Sequence, residues 1–237
     1  MWQFLYGLTL RSLDSDSPQL LEVHRFTGGP FQENTYLVRC TTTSDVVVID
    51  PGAASPEMIA LLQDTGWPVR AVYLTHAHID HVEGIPAVRR FTEAPIYLHP
   101  MDQVIYDHAE ESAAMFGLPI YAPLPPPDVL LAPREFVPVG AQKLEVRFTP
   151  GHAPGHVIFH SRSEGLALVG DVIFKASIGR TDLPGGDFKE LMRSIQEEIL
   201  MLPDDTRLLP GHGDLTTVRD ERMGNPFLVS QVPGGFA

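Results

Sequence analysis

The 237-residue chain has a single cysteine, Cys40, so no disulfide can form within it and nothing in it requires an oxidising compartment. Cys40 sits in the apolar run Tyr36-Leu37-Val38-Arg39-Cys40, which predicts a small buried hydrophobe rather than a nucleophile. Positive charge is scarce as well. Seventeen Lys and Arg face thirty Asp and Glu, a formal net charge of −13, and such a surface repels phosphate backbones and anionic membranes. Nucleic acid and membrane are therefore poor partners. No apolar run approaches the length of a membrane span. The apolar stretch Met1 to Leu10 lacks a basic leader and a small-residue cleavage site, and it is not read as a signal peptide. A soluble cytoplasmic protein is expected. The length suits one domain, with residues 1–20 as a short extension whose role is not legible, and a 43% hydrophobic content is enough for a sizeable core.

What the chain does hold is a dense polar stretch, Leu74-Thr75-His76-Ala77-His78-Ile79-Asp80-His81-Val82-Glu83-Gly84. Three imidazoles and a carboxylate in six positions lose free energy if buried without partners. A shared divalent cation satisfies them all. Imidazole and carboxylate without thiolate suit zinc, iron or manganese alike.

The rest of the chain alternates strands and helices. Val23 to Thr27, Thr35 to Cys40 and Asp45 to Ile49 read as opening strands of a sheet, paired as hairpins, and Met58, Leu61 and Leu62 give Pro56 to Gln63 helical spacing. Val69 to Leu74 is a strand running straight into the histidines. A helix follows from near Asp80 to Phe91, where Pro86 predicts a kink or a late start. Pro95 to Pro100 reads as a short strand and Met101 to Phe116 as helical. The segment Pro119 to Pro133 carries six prolines and reads as an extended connector within one domain. Leu144 to Phe148, Val157 to His160, Leu166 to Val169 and Arg207 to Leu209 are further strands. Phe188 to Leu200 is a helix, with Asp187 as its amino-terminal cap.

Four strands stop on a candidate ligand: Leu74 on His76, Phe148 on His152, Val169 on Asp171 and Leu209 on His212. Strand ends that share one edge form a rim whose loops can aim side chains at one cavity. Glycines at 151, 170, 211 and 213 flank these ligands, where the backbone must turn tightly.

The run Thr-His-Ala-His-Ile-Asp-His, followed in order by Pro-Gly-His, Gly-Asp and Pro-Gly-His-Gly, resembles the metallo-β-lactamase superfamily from about Val23 to Leu228. The loop Gly179-Arg180-Thr181-Asp182-Leu183-Pro184-Gly185-Gly186-Asp187 and the tail Asn225-Pro226-Phe227-Leu228 are most similar to the small bacterial glyoxalase II-type hydrolases. The resemblance implies an α/β fold, a four-layered αβ/βα sandwich with a two-metal site on its rim. It implies that His76, His78 and His152 hold one divalent ion, that Asp80, His81 and His212 hold the other, and that Asp171 bridges them, zinc being the foremost metal with iron or manganese open. Asp50 matches a supporting position. His24, His99, His108, His156 and His160 match no ligand position and are expected to pack or to lie on the surface.

Two cations about 3.5–4 Å apart lower the pKa of a shared water and polarise a carbonyl, so the expected reaction is hydrolysis of a thioester, with Asp80 orienting the water and handling its proton. The substrate of the resembled family is S-lactoylglutathione. Arg180 and Lys175 are candidate contacts for an anionic substrate. Longer family members bind glutathione partly through a carboxy-terminal helical domain, and this chain ends soon after Leu228, which leaves the thiol open. The competing readings are a mononuclear iron persulfide dioxygenase of the same superfamily, a lactonase, and a non-catalytic metal-binding scaffold.

Overall fold

A computed structural model describes residues 8–10, 19–118 and 123–229 of the chain. In chain order the first half runs β1 (Leu8–Leu10), β2 (Leu21–Gly28), β3 (Glu33–Cys40), β4 (Val46–Ile49), α1 (Ser55–Thr65) and β5 (Val69–Tyr73). It continues with α2 (Ile79–Val82), α3 (Ile85–Phe91), β6 (Ile96–Leu98), α4 (Gln103–Asp107), α5 (Ala109–Phe116) and β7 (Val129–Leu130). The second half runs β8 (Phe136–Val139), β9 (Gln142–Phe148), β10 (Val157–Ser161), β11 (Leu166–Gly170), and a small hairpin of β12 (Ile173–Phe174) and β13 (Ser177–Ile178). It closes with α6 (Phe188–Ser194), β14 (Arg207–Pro210), β15 (Thr216–Thr217), α7 (Val218–Gly224) and α8 (Pro226–Val229).

The main strands form two sheets, β1 to β7 in sequential order and β15-β14-β11-β10-β9-β8. Side-chain alternation shows how they stack. In β4, Val46 and Val48 join a core with Met58, Leu62, Ile85 and Val88 of α1 and α3, while Val47 and Ile49 join a second core with Leu144, Val146, Phe159 and Leu168 of the other sheet. In β11, Leu166 and Leu168 face that middle core, whereas Ala167 and Val169 pack with Leu191, Ile195 and Val218. Each central strand is therefore buried on both faces. The layers run helix, sheet, sheet, helix, as the resemblance implied.

Several boundaries differ from the pattern in the sequence. The helix expected from Asp80 to Phe91 is two short helices broken at Glu83 and Gly84, because Pro86 is tolerated only in a first turn and so begins α3. The helical stretch Met101 to Phe116 splits at His108. Within the proline-rich segment, Val129 and Leu130 pair in parallel with Tyr97 and Leu98 as an edge strand, and residues 119–122 lie outside the described part. The helix expected to reach Leu200 ends one residue earlier, through a wider π-type turn, Ile195–Ile199, and Asp187 caps its start by accepting the Glu190 N–H at 3.0 Å. Strands β8 and β15, the β12–β13 hairpin, and helices α7 and α8 were not evident in the sequence pattern. Leu8–Leu10 adds an antiparallel edge strand to β2, and the other residues before Gln19 lie outside the described part. Cys40 is buried in the middle core. Among the described residues no helix is long and apolar enough to cross a membrane.

Topology sets the rim. In one sheet β4 and β5 are parallel; in the other β11 and β14 are parallel, and β9 runs with those two because it and β11 both lie antiparallel to β10. Within each sheet these carboxyl ends point one way. The two sheets are stitched together there by Val157 N–H on Thr75 O at 2.8 Å, Asn34 N–H on Gly211 O at 2.7 Å, and Tyr36 Oη on Pro210 O at 2.7 Å.

Candidate metal centre

All seven side chains expected as ligands converge on this rim. The loop after β5 delivers His76 and His78, and α2, which begins immediately afterwards, delivers Asp80 and His81. The loops after β9, β11 and β14 deliver His152, Asp171 and His212. His78 Nδ1 lies 2.8 Å from His152 Nε2, which lies 3.2 Å from His76 Nε2. Beside this triad, Asp80 Oδ2 lies 3.2 Å from His212 Nε2 and 3.8 Å from His81 Nε2. Asp171 spans the two groups: Oδ2 is 3.5 Å from His152 Nε2 and 3.4 Å from His212 Nε2, and Oδ1 is 3.4 Å from His81 Nε2.

Hydrogen bonds on the far side of each ring fix which nitrogen faces the cluster. His152 Nδ1 donates to Arg180 O at 2.8 Å and His212 Nδ1 to Phe31 O at 3.0 Å. His81 Nδ1 donates to Asp50 Oδ2 at 3.1 Å. Thr75 gives its own hydroxyl proton to Asp50 Oδ2 at 2.6 Å, so its oxygen accepts from His76 Nδ1 at 3.0 Å. In each of these four rings Nε2 therefore faces the other donors, an arrangement that suits a shared electrophile among them. His81 Nε2 and Asp171 Oδ1 are buried without a hydrogen-bond partner. Three sets of donor atoms lie within 4.8 Å of one another, namely His76, His78 and His152; Asp80, His81 and His212; and Asp50, His76 and His81. The last is a support rather than a seat, since Asp50 already holds Thr75 N–H at 2.7 Å, the Thr75 hydroxyl and His81 Nδ1. The nitrogen and carboxylate donors present fit divalent cations.

The electrostatics divide the cluster. Burial, with the charges of its neighbours, holds His76 well below the usual imidazole range and His78 down at about 3, and burial lowers His152. These three are neutral donors. For His81 burial works downward, but Asp171 and Asp80 outweigh it and raise the ring well above its usual range. His212 likewise overcomes burial, through hydrogen bonds to Asp171 and Asp80, and rises to about 10. Asp171 is held well below the carboxylate range and Asp80 is also lowered, since the charge of His81 and the hydrogen bond from His212 outweigh burial in both.

Close backbone approach is part of the construction. A Cβ on Gly211 would stand 2.2 Å from Asp171 Oδ1 and 2.6 Å from His81 Cε1. Gly170 has φ +47°, and a Cβ there would meet Thr75 Oγ1 at 2.5 Å. Asp50 itself sits at φ +48°, a strained conformation for a non-glycine residue, at the point where three bonds over-determine it.

Two supporting residues escaped the sequence reading. His156 is buried: its Nε2 accepts the Asp171 N–H at 3.0 Å and its Nδ1 lies 2.8 Å from Thr149 Oγ1, so it holds the backbone that carries the Asp171 carboxylate. The signal was present, because Pro154-Gly155-His156 repeats the Pro-Gly-His punctuation of Pro150-Gly151-His152. Asp102 is fully buried, and its carboxylate accepts from Ala77 N at 2.8 Å and from Gly155 N. It ties the His76–His78 loop to the loop carrying His152 and His156, and no local pattern marks it. Of the other histidines, His99 stacks on Phe148 with ring centroids 4.7 Å apart, His160 faces Glu145 at 3.6 Å, and His24 packs 5.5 Å from Trp67. Arg180 lines the cleft in front of the cluster, with its guanidinium engaged by Asp182 at 2.7 Å. Lys175 is exposed, reaches Asp214 at 3.5 Å, and is not part of the cleft wall.

Comparison with known proteins agrees with this geometry. The family model described as "Metallo-beta-lactamase superfamily" matches residues 28–212. The chain is similar to the "Probable metallo-hydrolase YqgX" of Bacillus subtilis, at 35% identity over 86% of this chain and 96% of that protein. It is also similar to the "Hydroxyacylglutathione hydrolase GloC" of Haemophilus influenzae, at 32% identity over 85% and 95%. Among solved structures, the BLEG-1 B3 metallo-beta-lactamase superposes with a TM-score of 0.81 at 37% identity, covering 87% of this chain and 99% of that one. TTHA1623 in a di-iron-bound form superposes with a TM-score of 0.79 at 41% identity, covering 86% and 99%. From the rim of ligand-bearing strand ends, the layered sandwich and these matches, the chain belongs to the metallo-beta-lactamase superfamily.

Proposed function

We propose that this metallo-hydrolase cleaves a thioester, of the hydroxyacyl class, with two divalent cations in the cluster. The observation that carries the reading is the pair of donor sets sharing one carboxylate, Asp171. His76, His78 and His152 would hold one cation, Asp80, His81 and His212 the other, and Asp171 would bridge them. Two such cations lower the pKa of water and polarise a carbonyl. Zinc, iron and manganese all suit a nitrogen and oxygen donor set without thiolate, and the similarity to a protein solved with two irons supports iron beside zinc.

The chain's own groups supply the remaining steps. Asp80 is partly exposed and lines the cleft, so its carboxylate can accept the proton of an attacking water. Asp50 and Thr75 keep the rings of His76 and His81 in place during this transfer. A thiolate leaves without first being protonated, which fits the absence of an acid other than Asp80, Asp171 and the histidines among the described residues lining the cleft. The similarity to a hydroxyacylglutathione hydrolase supports the thioester class. The test is metal analysis and S-lactoylglutathione turnover on one preparation. Two metals per chain with thioester hydrolysis is the expected result. A single iron, no hydrolysis and oxygen uptake on glutathione persulfide would replace this reading with the dioxygenase.

A further inference from the structure

The cleft in front of the cluster has a volume of about 700 Å³, within the range of pockets that take small organic molecules. Its floor is polar and its walls are not. On one side Val104, Ile105, Ser112, Met115 and Phe116 present one face of the consecutive helices α4 and α5. On the other stand Phe174, Ile178, Leu183 and Pro184, and Phe31 meets Phe116 edge-on with ring centroids 5.6 Å apart. Several of these large apolar side chains are wet, Val104 at 68% and Met115 at 81% exposure, in a wall continuous with the ligands His78 and Asp80. Exposed apolar surface running into a reactive centre is the signature of a substrate wall.

That wall offers little positive charge. Among the described lining residues, Arg180 and His108 are those outside the cluster that can carry positive charge. The Arg180 fork is closed on Asp182 by two bonds of 2.7 Å, and His108 gives Nδ1 to Val104 O at 2.7 Å with Nε2 facing Glu111 at 3.8 Å. A glutathione arm brings two carboxylates, for which these walls offer no free partner, and it approaches a chain of formal charge −13.

We propose that the substrate carries an uncharged apolar acyl chain several carbons long, lying along the α4–α5 wall with its carbonyl over Asp80, on an uncharged thiol rather than on glutathione. The inference rests on the thioester-hydrolase reading above and departs from its hydroxyacyl arm. Each methylene that leaves water against such a wall gains about 0.8 kcal/mol, or about four-fold in kcat/KM.

The experiment uses the metal-loaded enzyme and N-acetylcysteamine thioesters from acetyl to octanoyl, with S-lactoylglutathione alongside. The expected result is a rise of about four-fold per methylene through hexanoyl, with hexanoyl preferred to S-lactoylglutathione by more than tenfold. The non-hydrolysable thioethers S-ethyl- and S-octyl-N-acetylcysteamine are titrated calorimetrically into the same enzyme, and the octyl compound is expected to bind at least tenfold more tightly. Val104→Asp and Met115→Glu, both at exposed positions that tolerate charge, are expected to flatten both series. A flat series, or preference for S-lactoylglutathione, overturns the apolar arm and leaves the hydrolase standing. Tight octyl binding without hydrolysis of any thioester overturns the hydrolase reading and leaves the apolar cleft.

Discussion

Asp102 offers the sharpest test of how the centre is held. Its buried carboxylate accepts Ala77 N–H and Gly155 N–H, the first between His76 and His78 and the second just before His156. Removing it in Asp102→Ala orphans two buried donors, each costing about 1–3 kcal/mol, so a loss of about 2–6 kcal/mol is expected. Asp102→Asn keeps one acceptor but turns an NH₂ towards the second N–H, and about half that cost remains. The charge has its own cost. Burial pushes the Asp102 carboxyl from 3.8 up to about 6, against the two backbone bonds that favour ionisation. A folded state with the higher pKa binds the proton more tightly, so this contribution is fully present below pH 3.8 and is lost as pH rises through 6, about 3 kcal/mol in all. The assay is urea unfolding of metal-free wild type and Asp102→Asn between pH 4 and 7.5, paired with metal affinity. The stability difference between the two proteins should shift by about 2 kcal/mol over that window, in favour of the variant at the higher pH, and metal affinity should fall 10- to 100-fold in both variants. If both variants bind metal as the wild type does, Asp102 does not position the ligand loops and the reasoning fails.

Other perturbations follow from the same geometry. Asp80→Ala should lower kcat by about 10²–10⁴ and His81→Ala should halve the metal content, read by turnover and by metal analysis; full activity in either refutes a binuclear mechanism. Gly211→Ala places a Cβ against Asp171 and His81, so metal content should drop while the circular dichroism spectrum is unchanged. The raised pKa values of His81 and of His212, the latter to about 10, mean that both rings hold protons at pH 7 before metal enters. Metal uptake should therefore release protons and tighten as pH rises towards 10, which calorimetry in buffers of different ionisation enthalpy measures; uptake without proton release refutes the pairing.

Much of this protein was legible because its signals are local. Apolar runs such as Val46 to Ile49 announce strands buried on both faces, and the side-chain period of two then sends Val46 and Val48 to one core and Val47 and Ile49 to the other. The ligand candidates were legible for a similar reason, since His76, His78, Asp80 and His81 crowd into one short run and His152, Asp171 and His212 each follow a Gly at or just past a strand end. Helix continuity was not. Val82, Ile85 and Val88 keep an apolar helical spacing through Gly84, and only the tertiary bond of Gly84 N–H to Pro51 O and the demands of Pro86 divide α2 from α3. Short pieces such as β7 and β15 carry too few residues to show a period and exist because a neighbouring strand offers its edge.

The sequence by itself determined the candidate donor set: seven histidine and aspartate side chains, with no thiolate among them to compete. The order of strands and turns that carries them was also fixed there, because propensity and turn chemistry act over a few residues. Only the tertiary structure decided which nitrogen of each ring faces the cluster. That choice belongs to Asp50, Thr75, Phe31 O and Arg180 O, partners up to 181 residues away in the chain. The same holds for the Asp102 clamp, for His156 behind Asp171, and for the apolar wall of α4 and α5. Each depends on distances between segments that no local pattern encodes, since burial and a hydrogen bond require both partners to arrive at one place.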